Sequence, residues 1–282
     1  MNFLIISYKS IKQIGASIFL VVLIISMSLL SGCGNRSEAG LVIAGSTSVQ
    51  PFAEVLAEEY MIHHPEFVID IQGGGSSAGV KTVQSGTADI GMSSRSLKDE
   101  EKSLFVVEIA RDGLAVIVHS SNPVSDLTLN QVRDIYAGST IVWSGLGGSN
   151  DKIHVITREE GSGTRSAFED LVMDKSEITP RAIVQDSNGA VLQLVADDPN
   201  AIGFISLGLV NSDVKALSLG GVAATHDNVS NGSYNLSRPF LFMTLEKPTG
   251  KVKEFIDFIL STEGQNQLAK EGLIPTTKGG GG

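Results

Sequence analysis

Cysteine is almost absent from these 282 residues: Cys33 stands alone. A single thiol excludes an intrachain disulfide framework and any zinc site built on clustered cysteines. Histidine is also scarce. His63 and His64 are adjacent rather than spaced as ligands on one helix face, and His119, His154 and His226 lie in no recognisable catalytic context. No metal and no cofactor is expected. Basic residues are outnumbered, 21 Lys and Arg against 31 Asp and Glu, for a formal net charge of −10. That balance excludes a nucleic-acid binder, which needs a basic face to displace counterions. Any anion this chain holds must therefore be attracted by local groups rather than by the field of the whole molecule. The chain has no internal repeat and no heptads, and its one tryptophan, Trp143, fits either a core or a cleft edge.

What is present begins with a targeting segment. Lys9 and Lys12 precede an apolar stretch, Ile14–Leu30, that ends in Leu30-Ser31-Gly32-Cys33. Small residues before a cysteine at the end of such a stretch resemble the bacterial lipoprotein processing site. The resemblance implies removal of residues 1–32 and lipidation of Cys33; an uncleaved spanning helix is the alternative. Acyl chains contribute about 0.8 kcal/mol per buried methylene, enough in combination to hold a soluble body at a membrane. Residues 33–40 are small and polar and read as a tether. The Gly-rich end, 276–282, is expected to be disordered.

The mature chain is long enough for two modest domains. Strands are expected at Leu41–Gly45, Phe67–Ile71 and Ala88–Met92. Helices fall between them: one from Pro51 to His64, with proline in its first turn, and one over Ala78–Gln84. This β-α-β-α-β order predicts a parallel sheet covered by helices. A second α/β unit follows: strands Gly113–His119, Ile153–Thr157 and Ala201–Ile205, and helices Leu129–Ala137, Gly163–Met173 and Val191–Asp197. Residues 211–237 are rich in Ser, Asn and Gly and read as loops with at most short strands. A strand at Phe240–Leu245 and helices at Lys251–Ser261 and Gln265–Glu271 complete the chain.

Three segments share one design: small hydroxyl residues where a strand gives way to a helix. They are Gly45-Ser46-Thr47-Ser48-Val49-Gln50-Pro51, Gly74-Gly75-Ser76-Ser77-Ala78-Gly79 and Arg158-Glu159-Glu160-Gly161-Ser162-Gly163-Thr164. A helix start offers N–H groups without intrahelical partners, and the peptide dipoles add positive potential there. Glycine admits a ligand close to the backbone, and hydroxyls add donors. Such turns can hold a tetrahedral oxyanion with little formal charge, and Arg158 supplies one planar cationic fork. Any one of these turns alone is an ordinary helix cap.

With these motifs in view, the sequence resembles the phosphate-binding proteins of bacterial phosphate ABC transporters, over about Leu41 to Pro275. The resemblance rests on Gly45–Pro51, Gly73–Val80 (GGGSSAGV), Ala88–Arg95 (ADIGMSSR) and Arg158–Arg165 (REEGSGTR), supported by Ile135–Gly138, Trp143, Leu146–Gly148 and Ala201–Phe204. It implies a two-domain periplasmic-binding-protein-like α/β fold with the ligand in the interdomain cleft. Residues 41–112 plus 238–275 would form one domain and 113–237 the other. Carried over by position, Thr47, Ser48, Ser76, Ser94, Arg158, Ser162, Gly163 and Thr164 would hold phosphate, and Ser46 is a weaker match. The implied protein is a monomeric, extracytoplasmic, lipid-anchored binding protein that passes phosphate to permease subunits, not an enzyme.

There is one departure. Many relatives carry an aspartate where this chain has Ser94. A carboxylate there accepts the proton of hydrogen phosphate and rejects sulfate; a hydroxyl does so more weakly. Sulfate or molybdate is thus the closest competing ligand. A different class of reading comes from Gly75-Ser76-Ser77-Ala78-Gly79, which matches the nucleophile elbow of serine hydrolases with Ser77 as nucleophile. Arg95 and Arg165 read as ion-pair partners or as contributors to the cleft potential, and Asp89 as structural.

Overall fold

The structure is a computed structural model that describes residues 40–276. The leader, Cys33 and the tether to residue 39, and the Gly-rich end from 277, lie outside the described residues. Among the described residues, no helix is long and apolar enough to cross a membrane.

In chain order the elements begin β1 (Gly40–Gly45), α1 (Gln50–His63), β2 (Val68–Gly73), α2 (Ser76–Gln84) and β3 (Ile90–Ser93). β4 (Phe105–His119), α3 (Leu129–Ala137), β5 (His154–Arg158), α4 (Gly163–Phe168), β6 (Ile183–Gln185) and α5 (Asn188–Asp197) follow. Next come β7 (Ala201–Ser206), β8 (Val214–Ala216), α6 (His226–Ser230) and β9 (Ser237–Thr244). The last are α7 (Gly250–Leu260), α8 (Thr262–Lys270) and β10 (Ile274–Pro275).

One mixed sheet runs through the molecule in the order β2-β1-β3-β9-β4-β7-β5-β6. β1 and β3 pair in parallel, Ile43 opposite Ile90, as the alternating β and α segments require. β9 enters antiparallel between β3 and β4. The 15-residue β4 is the central connection. Its first half pairs with β9, Asp112 opposite Arg238, and its second half pairs with β7 and β8, Val116 opposite Phe204. The sequence predicts this strand only from Gly113, because Glu108, Arg111 and Asp112 give the earlier half a polar look.

Two apolar cores flank the crossing. The first gathers Ile43, Phe52, Leu56, Tyr60, Ile109, Phe240, Phe242 and Phe255. Tyr60 anchors it, its ring edge-on to Phe67 and Phe255 at 5.1 and 5.3 Å. Phe52, Leu56 and Tyr60 recur every fourth residue, so α1 turns one face to this core. The second core gathers Leu114, Val116, Ile135, Tyr136, Trp143, Phe168, Val191 and Phe204. Phe168 stacks on Phe204 with centroids 4.1 Å apart. The cores separate along β4 between Ala110 and Leu114, and along the return between Leu236 and Phe240. We refer to the two parts as lobes.

Helix ends follow local chemistry. α3 opens with a reciprocal cap, Thr128 Oγ1 accepting from Gln131 N–H while Gln131 Oε1 accepts from Thr128 N–H. It ends at Gly138 in the left-handed region. The helix expected over Gly163–Met173 changes character. After Phe168 it widens into a π-helical turn, Glu169–Met173, where the Val172 carbonyl accepts from Arg133 Nε at 2.7 Å. Residues 211–237 hold the short strand β8, as expected, and also a short helix, α6, that the sequence reading did not include. Thr276, placed in the tail by the sequence, is tied down: its N–H donates to Gln265 Oε1 at 2.8 Å. Gln265 is buried and also donates to the Ile109 and Ile259 carbonyls.

Candidate anion-binding site

The three hydroxyl-rich turns converge where the lobes meet. The first lobe supplies the turn after β1, the start of α2, and Ser94 just past β3. The second supplies the end of β5 and the start of α4. Contact between lobes is direct. Ser48 Oγ lies 2.6 Å from Thr164 Oγ1, Arg158 Nη2 donates to Thr47 Oγ1 at 3.1 Å, and Ser77 N–H donates to the Gly161 carbonyl at 3.1 Å.

Two glycines make this approach possible. Gly45 has φ +139°, and a Cβ there would stand 2.3 Å from the Met92 carbonyl oxygen. Only glycine lets β1 turn away so close to β3. Gly163 opens α4 against the opposite lobe, where a Cβ would fall 2.1 Å from Ser76 Oγ and 2.6 Å from Ser94 Oγ.

Ser46, Ser48, Ser76, Ser94, Ser162 and Thr164 are all buried. Three of these hydroxyls, Ser46, Ser76 and Ser162, each accept from a backbone N–H, a donor that cannot reverse. Ser94 N–H donates to Ser76 Oγ at 3.0 Å. Ser48 N–H donates to Ser46 Oγ at 3.2 Å, and Ser46 Oγ donates to Ser94 Oγ at 2.9 Å. Arg165 N–H donates to Ser162 Oγ, the N-cap of α4, at 3.2 Å. A hydroxyl whose lone pair is occupied in this way turns its own proton elsewhere. Ser46 turns its proton to Ser94, and Ser162, whose Oγ accepts from Arg165 N–H, has its own proton to offer.

Arg158 is the charged member, 1% exposed at the end of β5. One edge of its guanidinium is fully used. Nε donates to Glu159 Oε2 (2.9 Å) and the Gln185 carbonyl (3.2 Å). Nη2 donates to Glu159 Oε1 (2.9 Å), the Asp186 carbonyl (3.0 Å) and Thr47 Oγ1 (3.1 Å). Nη1 is buried without a protein acceptor. A buried guanidinium N–H left unsatisfied is costly unless a ligand takes it.

All eight residues named from sequence therefore fall in this region, Thr47 through its contact with Arg158. Ser46, the weaker match, is also built into the cluster. The sequence reading missed Asn188, the first residue of α5. It is 1% exposed; its Nδ2 donates to Ser48 Oγ at 2.7 Å and its Oδ1 accepts from Ser206 N–H at 3.2 Å. The signal was there: Ser187-Asn188-Gly189 after a short strand and before an apolar run is a fourth turn of the same kind, with Ser187 capping Ala190 N–H.

Behind it lies a buried ion pair on the crossing strands. Arg238 donates from Nε and Nη2 to Asp112 Oδ2 at 3.0 and 2.9 Å, and Ser206 Oγ donates to Asp112 Oδ1 at 2.8 Å. Burial pushes the Asp112 carboxyl up, against the pull of Arg238 and Ser206.

The remaining sequence candidates lie in other contacts. Arg95 forms a buried two-pronged pair with Glu101, 2.7 and 2.8 Å. Its hydrogen bonds hold the Glu101 carboxyl below its usual range. Arg165 pairs with Glu169 at 2.8 Å and caps the Arg158 carbonyl. Asp89 accepts from Val42 N–H. Trp143 packs in the second core with Nε1 on the Asn200 carbonyl. Ser77 Oγ is approached by Arg95 at 3.4 Å, while His119 engages Ser121 and His154 engages Asp198.

Two α/β lobes joined by crossing strands, with a buried cluster of hydroxyls and a guanidinium where they meet, have the architecture of a solute-binding protein. Residues 34–263 match the model of the PBP superfamily domain. Phosphate-binding protein PstS of Bacillus subtilis is 31% identical over 273 residues, covering 89% of this chain and 91% of that one. PstS of Pseudomonas aeruginosa is 31% identical, covering 84% and 83%. A substrate-binding protein of the phosphate ABC transporter type from Clostridium perfringens, solved with phosphate bound, superimposes with a TM-score of 0.82. It is 47% identical, and the match covers 84% of this chain and all of that one. The ABC-type phosphate transport receptor of Vibrio cholerae superimposes with a TM-score of 0.70 at 40% identity. The chain belongs to the phosphate-binding PstS family of the PBP superfamily.

Proposed function

We propose that this protein binds inorganic phosphate between its lobes, 41–112 plus 238–275 on one side and 113–237 on the other, and delivers it to the permease of an ABC transporter. The observation that carries the reading is the buried cluster itself. Buried hydroxyls from both lobes meet there, and Arg158, joined to the first turn through Thr47 Oγ1, has an Nη1 without an acceptor. Neutral donors plus one guanidinium suit a small dense oxyanion and offer nothing to an extended organic ligand. Thr47, Ser48, Ser76, Ser94, Arg158, Ser162, Gly163 and Thr164 are the proposed contacts. The names of the relatives and of the phosphate-bound structure point the same way.

We assign the chain to the extracytoplasmic face of a membrane, anchored through lipid on Cys33 after removal of residues 1–32. Mass spectrometry of the mature N-terminus tests this: an intact leader or an unmodified cysteine overturns it. Titration calorimetry on phosphate-stripped protein, against sulfate, arsenate and molybdate, tests the ligand. About one phosphate per chain is expected. Ser94 keeps a second reading alive, because a neutral hydroxyl stands where a proton-accepting carboxylate would favour phosphate. Equal affinity for sulfate would replace phosphate with the broader oxyanion class.

A further inference from the structure

In the first lobe, Ser46 and Ser76 are oriented by backbone N–H groups. Ser48, and Thr164 in the second lobe, are oriented by a relay whose direction is set by its first donor. Ser206 N–H can only donate, so the amide face it meets on Asn188 is Oδ1, at 3.2 Å. The other face, Nδ2, therefore points at Ser48 Oγ, 2.7 Å away, and donates to it. Ser48, now accepting, donates its own proton across the 2.6 Å contact to Thr164 Oγ1. Thr164 then accepts, and its proton finds no acceptor among the described residues. The relay runs one way: Ser206 N–H, Asn188, Ser48, Thr164. It crosses from the second lobe to the first and back, and every member is buried.

We infer that Asn188 is a positioning residue of the anion site: its amide, fixed in orientation by Ser206 N–H, makes Ser48 donate to Thr164 and so leaves the Thr164 hydroxyl as a hydrogen-bond donor to the bound oxyanion. This rests on the reading of the cleft as an oxyanion site and adds a residue that does not itself touch the ion. It also explains why an amide stands there. A carboxylate of the same shape would accept from both Ser206 and Ser48, turn the Ser48 proton backwards, and reverse the relay.

The test uses phosphate as ligand and the full mature chain, with calorimetric affinities for wild type, Asn188→Ala, Ser48→Ala, the double variant and Asn188→Asp. Loss of one oriented donor to a charged ligand predicts a roughly ten- to hundredfold weaker affinity for Asn188→Ala. In the Ser48→Ala background the same change should cost less than about twofold, since the relay is already cut. An effect of Asn188→Ala that is as large without Ser48 as with it overturns the proposal, as does an affinity within about threefold of wild type.

Asn188→Asp, which keeps the shape, decides the matter if the alanine variants do not fold. A buried carboxyl facing an anion titrates well above the ordinary aspartate value. Its protonated form can donate again, so the ratio of variant to wild-type dissociation constants should shrink as pH falls from about 8 to about 5. Taking the ratio cancels the titration of phosphate itself. The charged groups around position 188 are Arg158 and Glu159 at the end of β5, Asp186 on the same turn, and the Asp112–Arg238 pair behind Ser206; all are common to both proteins. A ratio that does not change with pH overturns the relay. If wild type itself takes up no phosphate, it is the proposed function that fails, not the relay.

Discussion

Arg158→Ala offers a direct measure of how the cleft holds its ion. Five N–H bonds leave the guanidinium. Nε and Nη2 are committed to Glu159, Gln185, Asp186 and Thr47, and Nη1 is left for a ligand. Truncating one partner of a desolvated charge pair costs roughly 2–5 kcal/mol. At about 1.4 kcal/mol per decade, that is a thirtyfold to several-thousandfold weaker phosphate affinity. The fold should tolerate the change, because Glu159, 29% exposed, can hydrate once its partner is gone. Calorimetry on phosphate-stripped protein, with a thermal melt beside it, separates the two effects. Arg158→Lys retains the charge but loses the fork and should fall between alanine and wild type. A loss of less than tenfold in Arg158→Ala, in a protein that still melts cooperatively, would refute the assignment of Nη1 to the ligand.

Gly163→Ala inserts a methyl group where Ser76 and Ser94 already stand. Overpacking of this kind costs roughly 1–3 kcal/mol, and here it should fall on closure. Phosphate affinity drops about ten- to hundredfold by calorimetry with little change in melting temperature. Glu101→Gln should flatten the acid limb of stability. Arg95 holds the folded Glu101 carboxyl below its unfolded value of 4.5, so its contribution is present above that value and is lost as pH falls through the folded one. Urea midpoints measured from neutral to strongly acidic pH should fall less steeply in the variant than in wild type. Arg238→Met leaves Asp112 buried without its partner and should destabilise by roughly 3–5 kcal/mol, read from urea unfolding; a change below about 1 kcal/mol would mean that Asp112 sits neutral.

The local grammar of the chain carried most of this site. Each of the three turns is contiguous in sequence, and its helix start, glycine and hydroxyls announce themselves within a few residues. What stayed hidden depends on distant partners. The first half of β4 carries Glu108, Arg111 and Asp112, which read as surface until β9 covers them and Arg238 lands opposite Asp112. Arg95 lies in a motif that resembles a binding loop, yet a glutamate six residues on claims it. Asn188 looks like any polar residue at a helix start. Its meaning comes from Ser48, 140 positions earlier in the chain. The π turn after Phe168 also escapes a helical pattern, because Val172 and Met173 keep their apolar character through it.

The first core draws on both ends of the chain, whereas the second is made from one continuous stretch. Order of assembly follows from that connectivity. As the polypeptide emerges, everything from Leu114 to Leu236 can collapse while the opening β-α-β segment still lacks β9, α7 and α8. Only when the segment from Ser237 onward arrives does the earlier half acquire its missing strand and helices. A nascent chain halted shortly before Ser237 would thus carry one finished lobe and one open apolar face, and that face is where a chaperone would be needed.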